Sequence, residues 1–164
     1  MSEPESLPQG QFEGREAFQD LVRQAFAQAA REGWREIIVC DASFEDWPLR
    51  EREVAESLNA WATAGRRFTM LATRYDAVQR LHARFVNWRV KWSHLVDCRQ
   101  CRQAAPVDFP SALLGPDWVM QRLDVPRCNG VAGREPARRV ALRELLEERL
   151  RASSPGFAAS TLGL

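Results

Sequence analysis

The chain has 164 residues, of which 45% are hydrophobic and six are tryptophan, and this composition excludes a disordered protein. No apolar run approaches the roughly 18 residues of a membrane-spanning helix, so we expect no membrane span. The first residues carry acids and prolines instead of a basic, hydrophobic signal segment, which predicts a cytoplasmic protein. A chain of this length suits one domain, expected over residues 15–152, between a flexible arm at 1–14 and a tail at 153–164.

The net charge of +1 conceals a strong asymmetry along the chain. Residues 1–60 contain 13 acids and 6 bases, whereas residues 61–102 contain 9 bases and 2 acids. A basic segment of this kind favours an anionic partner, either a phosphate-bearing ligand or nucleic acid. The alternative is that the acidic and basic segments neutralise each other, within the fold or across a homodimer.

Residues 35–41 (REIIVCD) form the centre of the predicted fold, because a short unbroken apolar run favours a strand covered on both faces. Around this run, helical and strand patterns alternate along the chain. The predicted helices cover about 15–32, 49–64, 75–92 and 135–152, and the strands cover 35–41, 67–73 and 95–98, followed by a hairpin of 111–114 and 118–123. This order predicts βαβ units, and therefore an α/β fold with a mostly parallel sheet, helices on both faces, a late hairpin or meander and a C-terminal helix.

The densest group of candidate functional residues lies at 81–94, on the predicted third helix. The segment holds both histidines of the chain, with cations and tryptophans between them. Cations beside aromatic rings are typical of surfaces that bind phosphate or single-stranded nucleic acid. An amphipathic helix that buries its aromatic face and solvates its arginines gives the same pattern. The ligand-binding residues predicted here are His82, Arg84, Trp88, Arg89 and His94.

Cys98 and Cys101 form a single Cys-x-x-Cys pair. Two thiolates at this spacing can chelate zinc if two more nitrogen or sulfur ligands join them, and His94 and Cys128 are the candidates. A redox motif is a further alternative, although it requires a thiol at a helix N-terminus and this pair is predicted to follow a strand into a loop. Two small core or surface residues, with no cofactor, are the favoured interpretation. Cys40, inside the apolar run, is predicted to be a packed hydrophobe. A small zinc-stabilised interaction module, with zinc as its cofactor, is therefore one alternative function.

Short catalytic and nucleotide-binding motifs such as Gly-x-Ser-x-Gly, Gly-x-Gly-x-x-Gly and His-Glu-x-x-His do not occur in the sequence. From residue 35 to about 157, the predicted order of elements resembles one half of a phospholipase D-like domain, especially the small bacterial proteins of unknown function related to that superfamily. The resemblance implies a His-x-Lys-x4-Asp motif on the first arm of the hairpin, where residues 110–117 read PSALLGPD. Pro110 and Ala112 replace the histidine and the lysine, and only Asp117 fits.

The resemblance therefore implies a domain without its catalytic groups. We expect a non-catalytic, cytoplasmic, bacterial α/β domain that binds an anionic ligand or a partner protein. A divergent phosphodiesterase that uses His82 or His94 is the alternative enzyme.

Overall fold

The structure, a computed structural model, describes residues 6–158. They form one eight-stranded sheet and five α-helices, with a short 3-10 helix at Pro106–Asp108. The strands are β1 (Gly10–Phe12), β2 (Glu36–Cys40), β3 (Arg67–Ala72), β4 (Val96–Gln100), β5 (Ser111–Leu114), β6 (Val119–Asp124), β7 (Asn129–Gly133) and β8 (Ser154–Pro155). The helices are α1 (Arg15–Glu32), α2 (Arg52–Trp61), α3 (Asp76–Leu81), α4 (Ala83–Lys91) and α5 (Pro136–Arg151). The strand order across the sheet is β1-β7-β6-β5-β2-β3-β4-β8.

The sheet is mixed, and the predicted mostly parallel sheet is wrong. The parallel pairings are β2 with β3 and β3 with β4, whereas the other five pairings are antiparallel. Helical crossovers join the parallel strands β2, β3 and β4, as parallel pairing of neighbouring strands requires. The short turns at 115–118 and 125–128 force β5, β6 and β7 to run antiparallel. The late hairpin is confirmed, because Ser111–Leu114 pairs with Val119–Arg122.

The apolar run of β2 lies in the middle of the sheet, between β5 and β3. Ile37 and Val39 belong to one buried cluster, and Ile38 and Cys40 belong to a second cluster. Residues of α1, α2 and α4 complete the first cluster, and residues of α5 complete the second. Each face of the strand is therefore covered by helices. No helix within residues 6–158 is long and apolar enough to cross a membrane.

The predicted third helix is divided in two at His82, whose φ of −117° and ψ of 58° are not helical. The chain still makes helical hydrogen bonds on each side, from His82 N to Val78 O and from Val86 N to His82 O. The apolar periodicity therefore continues across the break and does not reveal it. The histidine turns inward, where Nε2 lies 2.8 Å from the carbonyl oxygen of Phe44.

Part of the arm predicted at 1–14 belongs to the sheet. Gly10–Phe12 forms the edge strand β1 and pairs antiparallel with β7. Leu7 is buried in the core cluster that contains α1. Burial of Leu7 in the core holds this segment on the domain, although acids and prolines surround this residue in the sequence. Residues 1–5 lie outside the described residues.

The predicted tail at 153–164 also contributes to the sheet over residues 153–158, which we call the C-terminal strap. β8 pairs antiparallel with β4, and the next residue, Gly156, donates its backbone N–H to the carbonyl of Cys98. A Cβ at Gly156 would lie 2.9 Å from atoms of two neighbouring side chains, so the strap fits closely against β4. The strap therefore covers the edge of β4. Residues 159–164 lie outside the described residues.

Candidate functional site

The structure does not bring the five predicted ligand-binding residues together. His82 and His94 lie beyond opposite ends of α4. Trp88 and Arg89 are buried between them, and Arg84 is exposed on the same helix. His94 is exposed, whereas His82 is fully buried. A single pocket built from these residues is therefore excluded, and each residue has to be considered in its own surroundings.

Trp88 is a core residue. Its ring makes an edge contact with Phe68 at a centroid distance of 5.1 Å and lies 5.6 Å from Phe85. It also lies 6.5 Å from the ring of Trp61 on α2. These aromatic contacts are the buried face that the amphipathic-helix alternative describes. Trp88 and Phe85 are thus not available for stacking on a ligand.

Arg89 is buried and holds the C-terminal strap. Its Nε and Nη2 donate to the carbonyl oxygen of Phe157 at 3.2 and 3.0 Å, and its Nη1 donates to Val96 O at 3.1 Å. Phe157 is buried in turn, with its ring stacked on Tyr75 at 5.3 Å. All three guanidinium nitrogens are therefore committed to backbone carbonyls. The role of Arg89 is to anchor the strap beside β4.

His82 connects the α3–α4 junction to the loop after β2. Because a carbonyl oxygen only accepts hydrogen bonds, Nε2 carries the proton and donates to Phe44 O, while Nδ1 is buried without a partner. Burial lowers the pKa of His82 below 6.5, the hydrogen bond to Phe44 opposes this effect, and the charge of Arg50 adds to it. Phe44 itself has a positive φ of 61°. The neutral imidazole therefore supports an unusual loop conformation.

Asp41, at the carboxyl end of β2, is occupied by an internal partner. Its Oδ1 accepts a hydrogen bond of 2.6 Å from Nη2 of Arg122, and its Oδ2 accepts one of 2.8 Å from the backbone N–H of Phe44. Arg122 also donates to Ser111 Oγ at 2.8 Å and to Asp46 Oδ2 at 3.1 Å. This network satisfies its own polar groups, so Asp41 has a structural role at the sheet edge.

The two cysteines of the Cys-x-x-Cys pair lie in different core clusters, on opposite faces of the sheet. Burial raises the pKa of Cys98 to about 12. Cys101 Sγ lies 3.4 Å from the carbonyl oxygen of Arg149, and Cys128 Sγ accepts a hydrogen bond from Arg122 at 3.3 Å. Among residues 6–158, no group of three or more His, Cys, Asp or Glu side chains is arranged to hold a metal ion. Zinc binding is thus still only an alternative that the sequence leaves open.

A cleft with a cationic lining lies at the amino edge of β3 and β4. Its volume is about 490 Å³, and it is lined by Arg66, Arg67, His94 and Asp97, together with Gly65 and the two residues after His94. Arg67 and His94 are exposed, and a hydrogen bond to the carbonyl of Trp61 holds the guanidinium of Arg66. Two arginines and a histidine thus face one carboxylate.

A second cleft, of about 400 Å³, lies at the opposite edge, where β2 and β3 end. Its charged lining consists of two bases, Arg74 and Arg80, and two acids, Glu45 and Asp76. The formal charges of this lining cancel. Of the two clefts, the one at the amino edge is therefore the more favourable place for an anion.

The bases of residues 61–102 form no close ion pairs with acids of the described residues. Within the part of the chain that the structure describes, none of these nine bases has a carboxylate oxygen within 4.0 Å. Acids of the first 60 residues pair elsewhere: Asp41 with Arg122, and Glu51 with Arg23. Neutralisation within the fold thus finds no support in these contacts. Neutralisation across a homodimer stays a prediction.

Lys91 and Trp92 extend the cationic edge at the end of α4. The ammonium of Lys91 lies 5.8 Å from the centre of the Trp92 ring, and the ring of His94 lies 5.8 Å from the same ring. Trp92 is half-buried, and Lys91 is exposed. We call Arg66, Arg67, Lys91, Trp92 and His94 the amino-edge surface. It combines four basic side chains with one partly exposed aromatic ring.

No family model matches the chain, and no curated protein matches it. The fold is similar to the solved structure of TrmBL2, an archaeal chromatin protein that shows a novel mode of DNA binding. The TM-score is 0.66 and the sequence identity is 14%, over 93% of this chain and 55% of the TrmBL2 chain. This chain thus spans about half of TrmBL2, and the similarity shows the fold alone. The resemblance to a phospholipase D-like half stays a prediction.

Proposed function

We propose that this chain is a nucleic-acid-binding domain whose amino-edge surface contacts the phosphate backbone. The observation that carries this proposal is the absence of carboxylate partners for the bases of residues 61–102 within the described residues. Unpaired surface cations are the groups that displace counterions from phosphates and supply most non-specific affinity. The similarity of the fold to a DNA-binding chromatin protein supports the same function.

The amino-edge cleft is favoured over the cleft at the opposite edge of the sheet by its local charge. Asp97 is the acid in the lining of the amino-edge cleft, whereas the opposite cleft has two acids for its two arginines. Arg67 makes no side-chain hydrogen bond or ion pair within residues 6–158, so binding a phosphate breaks no existing contact of that kind. Lys91 is exposed at the end of α4. These two side chains are the strongest candidates for phosphate contacts.

Binding without catalysis agrees with the positions of the histidines. A histidine that attacks phosphorus has to reach its substrate, but His82 is fully buried and its Nε2 is bonded to Phe44. Ala112, at the position where the phospholipase D-like resemblance implies a lysine, is buried in β5. His94 is exposed, but His82 lies beyond the other end of α4. This arrangement favours a binding domain over a phosphodiesterase.

The experiment compares two double variants that remove the same charge from opposite edges of the sheet. Arg67→Ala with Lys91→Ala changes the amino-edge surface, and Arg74→Ala with Arg80→Ala is the matched control. The probe is a labelled DNA duplex of mixed sequence, followed by fluorescence anisotropy over a range of salt concentrations. We expect wild-type affinity to fall steeply with salt. The amino-edge variant is expected to reduce the magnitude of the slope of log K against log salt concentration by about 1.8, because each of the two lost phosphate contacts contributes about 0.9.

The control variant is expected to keep the wild-type slope, because its arginines lie at the other edge. Equal weakening by both double variants would show that only net charge matters and would refute the assignment of the surface. Absence of binding at low salt, both to the duplex and to either of its separated strands, would refute nucleic-acid binding itself.

A further inference from the structure

Trp92 differs from every other tryptophan of this chain. All six lie in the part that the structure describes, and the other five are buried. A large ring that stays partly in water forgoes hydrophobic stabilisation that its neighbours in the core obtain. Part of the ring packs against the core, and the rest lies beside the exposed Lys91, where a ligand can reach it.

The backbone and the ring of Trp92 are held in place on the domain. Its N–H donates to Trp88 O at 3.0 Å, and its carbonyl accepts from the N–H of Leu95 at 3.0 Å. The indole Nε1–H lies 3.4 Å from Oδ1 of Asn59 on α2. This long hydrogen bond and the packing of the ring against the core restrict its orientation, so less ordering is needed when a ligand binds.

We propose that the amino-edge surface binds single-stranded nucleic acid in preference to duplex, with an unpaired base stacked on Trp92. Arg67, Lys91 and His94 would contact the phosphates on either side of that base. This inference rests on the proposed function and names the ligand class for the same surface. Aromatic rings beside cations give sequence-tolerant single-strand binding, since every base presents a flat π face.

A duplex cannot use this ring without an energetic cost. Its bases are already stacked on each other, so contact with Trp92 requires a base to leave the stack. A single strand has no such cost, and it can present a base and two phosphates together. Lys91 lies over the ring at a long distance of 5.8 Å, so a base can displace its ammonium toward the adjacent phosphate.

The test uses three labelled probes of equal length: an oligothymidine of about 16 nucleotides, an abasic strand and a duplex. The abasic strand keeps the phosphates and lacks the bases, so it separates stacking from charge. We expect the oligothymidine to bind more tightly than either of the other two. We expect Trp92→Ala to weaken oligothymidine binding by about 5- to 150-fold for one stacked base and to leave abasic-strand binding unchanged.

Val90→Ala is the matched control for a nearby surface change, because Val90 is an exposed apolar residue on α4, 47% accessible. It is expected to bind all three probes like the wild type. Trp92→Phe keeps an aromatic face and is expected to retain part of the oligothymidine preference. The melting temperature of each variant shows whether the fold is intact.

Intrinsic fluorescence gives a second readout of the same contact. Because the other tryptophans are buried, oligothymidine is expected to quench only the emission of Trp92, and the quenching is expected to disappear in Trp92→Phe.

The inference is overturned if Trp92→Ala binds oligothymidine like the wild type, or if it weakens abasic-strand binding equally. Duplex binding as tight as oligothymidine binding, with both dependent on Arg67 and Lys91 and neither changed by Trp92→Ala, would overturn the inference alone and leave the proposed function standing.

Discussion

Replacing Asp41 with asparagine is the sharpest test of the buried network at the end of β2. The carboxylate accepts hydrogen bonds on both oxygens, from Arg122 on one side and from the backbone N–H of Phe44 on the other. Asparagine has one oxygen and one NH2 group, so in either orientation its NH2 group points at another donor, either the guanidinium of Arg122 or the N–H of Phe44. The side chain of Arg122 is 0% exposed and would lose its most buried counter-charge. We expect a loss of about 3–5 kcal/mol in the free energy of unfolding.

Asp46→Asn provides the matched control, since Asp46 pairs with the same guanidinium at 3.1 Å but is 33% exposed. Water can replace part of that interaction, so we expect a loss of about 1 kcal/mol or less. Urea unfolding followed by far-UV circular dichroism measures both variants. A lower midpoint with an unchanged slope is the signature of lost stability without a change in the unfolded state.

A second variant shows whether the lost stability comes from the buried Arg122 cation that Asp41→Asn leaves without its counter-charge. Adding Arg122→Met to Asp41→Asn removes the buried cation, and we expect the double variant to recover part of the lost stability. The reasoning is refuted if Asp41→Asn destabilises the protein no more than Asp46→Asn. It is also refuted if the methionine makes the asparagine variant less stable still.

Two further predictions concern the ends of α4. Burial lowers the pKa of His82 in the fold below 6.5, so the folded state binds its proton less readily than the unfolded state. We expect the free energy of unfolding to be insensitive to this group well above pH 6.5 and to decrease as the pH falls below 6.5, and we expect His82→Gln to flatten that part of the profile of urea midpoint against pH. An unchanged profile would assign the slope to other groups. Arg89→Met removes the hydrogen bonds to Phe157 and Val96, and we expect it to cost about 1–3 kcal/mol and to speed carboxypeptidase digestion of the strap, 153–158. Digestion at the wild-type rate would show that the strap does not depend on Arg89.

Local patterns in the sequence predicted the elements well where the signal was itself local. The first helix was predicted over about 15–32 and found at Arg15–Glu32, because apolar spacing marks its body and Gly33 adopts the left-handed conformation that ends it. The direction of strand pairing is a different matter. β2 pairs with β5 on one side and β3 on the other, and the apolar run of β2 is the same whichever way those partners run. The sequence pattern therefore indicates a buried strand but not a mixed sheet.

Buried arginines were the main obstacle to predicting the site. Arginine is rarely buried, so Arg89 was interpreted as a ligand-binding group, and its partner Phe157 lies far away in the chain. Arg122 carried a usable signal, because strand alternation places it on the same face of β6 as Met120, which is fully buried. That alternation predicts an inward-pointing cation, and an inward-pointing cation requires a buried acid such as Asp41.

The same topology explains why a run of bases in the sequence is not one surface in the fold. The chain leaves the amino edge along β3, and α3 and α4 return it to that edge for β4. Bases near the two ends of this unit, Arg67 and Lys91, therefore lie toward the amino edge, whereas Arg74 and Arg80 line the cleft at the opposite edge. A βαβ crossover thus divides one basic segment into two groups with different neighbours. Pairs of variants chosen by sheet edge, rather than by position in the sequence, therefore distinguish binding at one surface from a general effect of net charge on affinity.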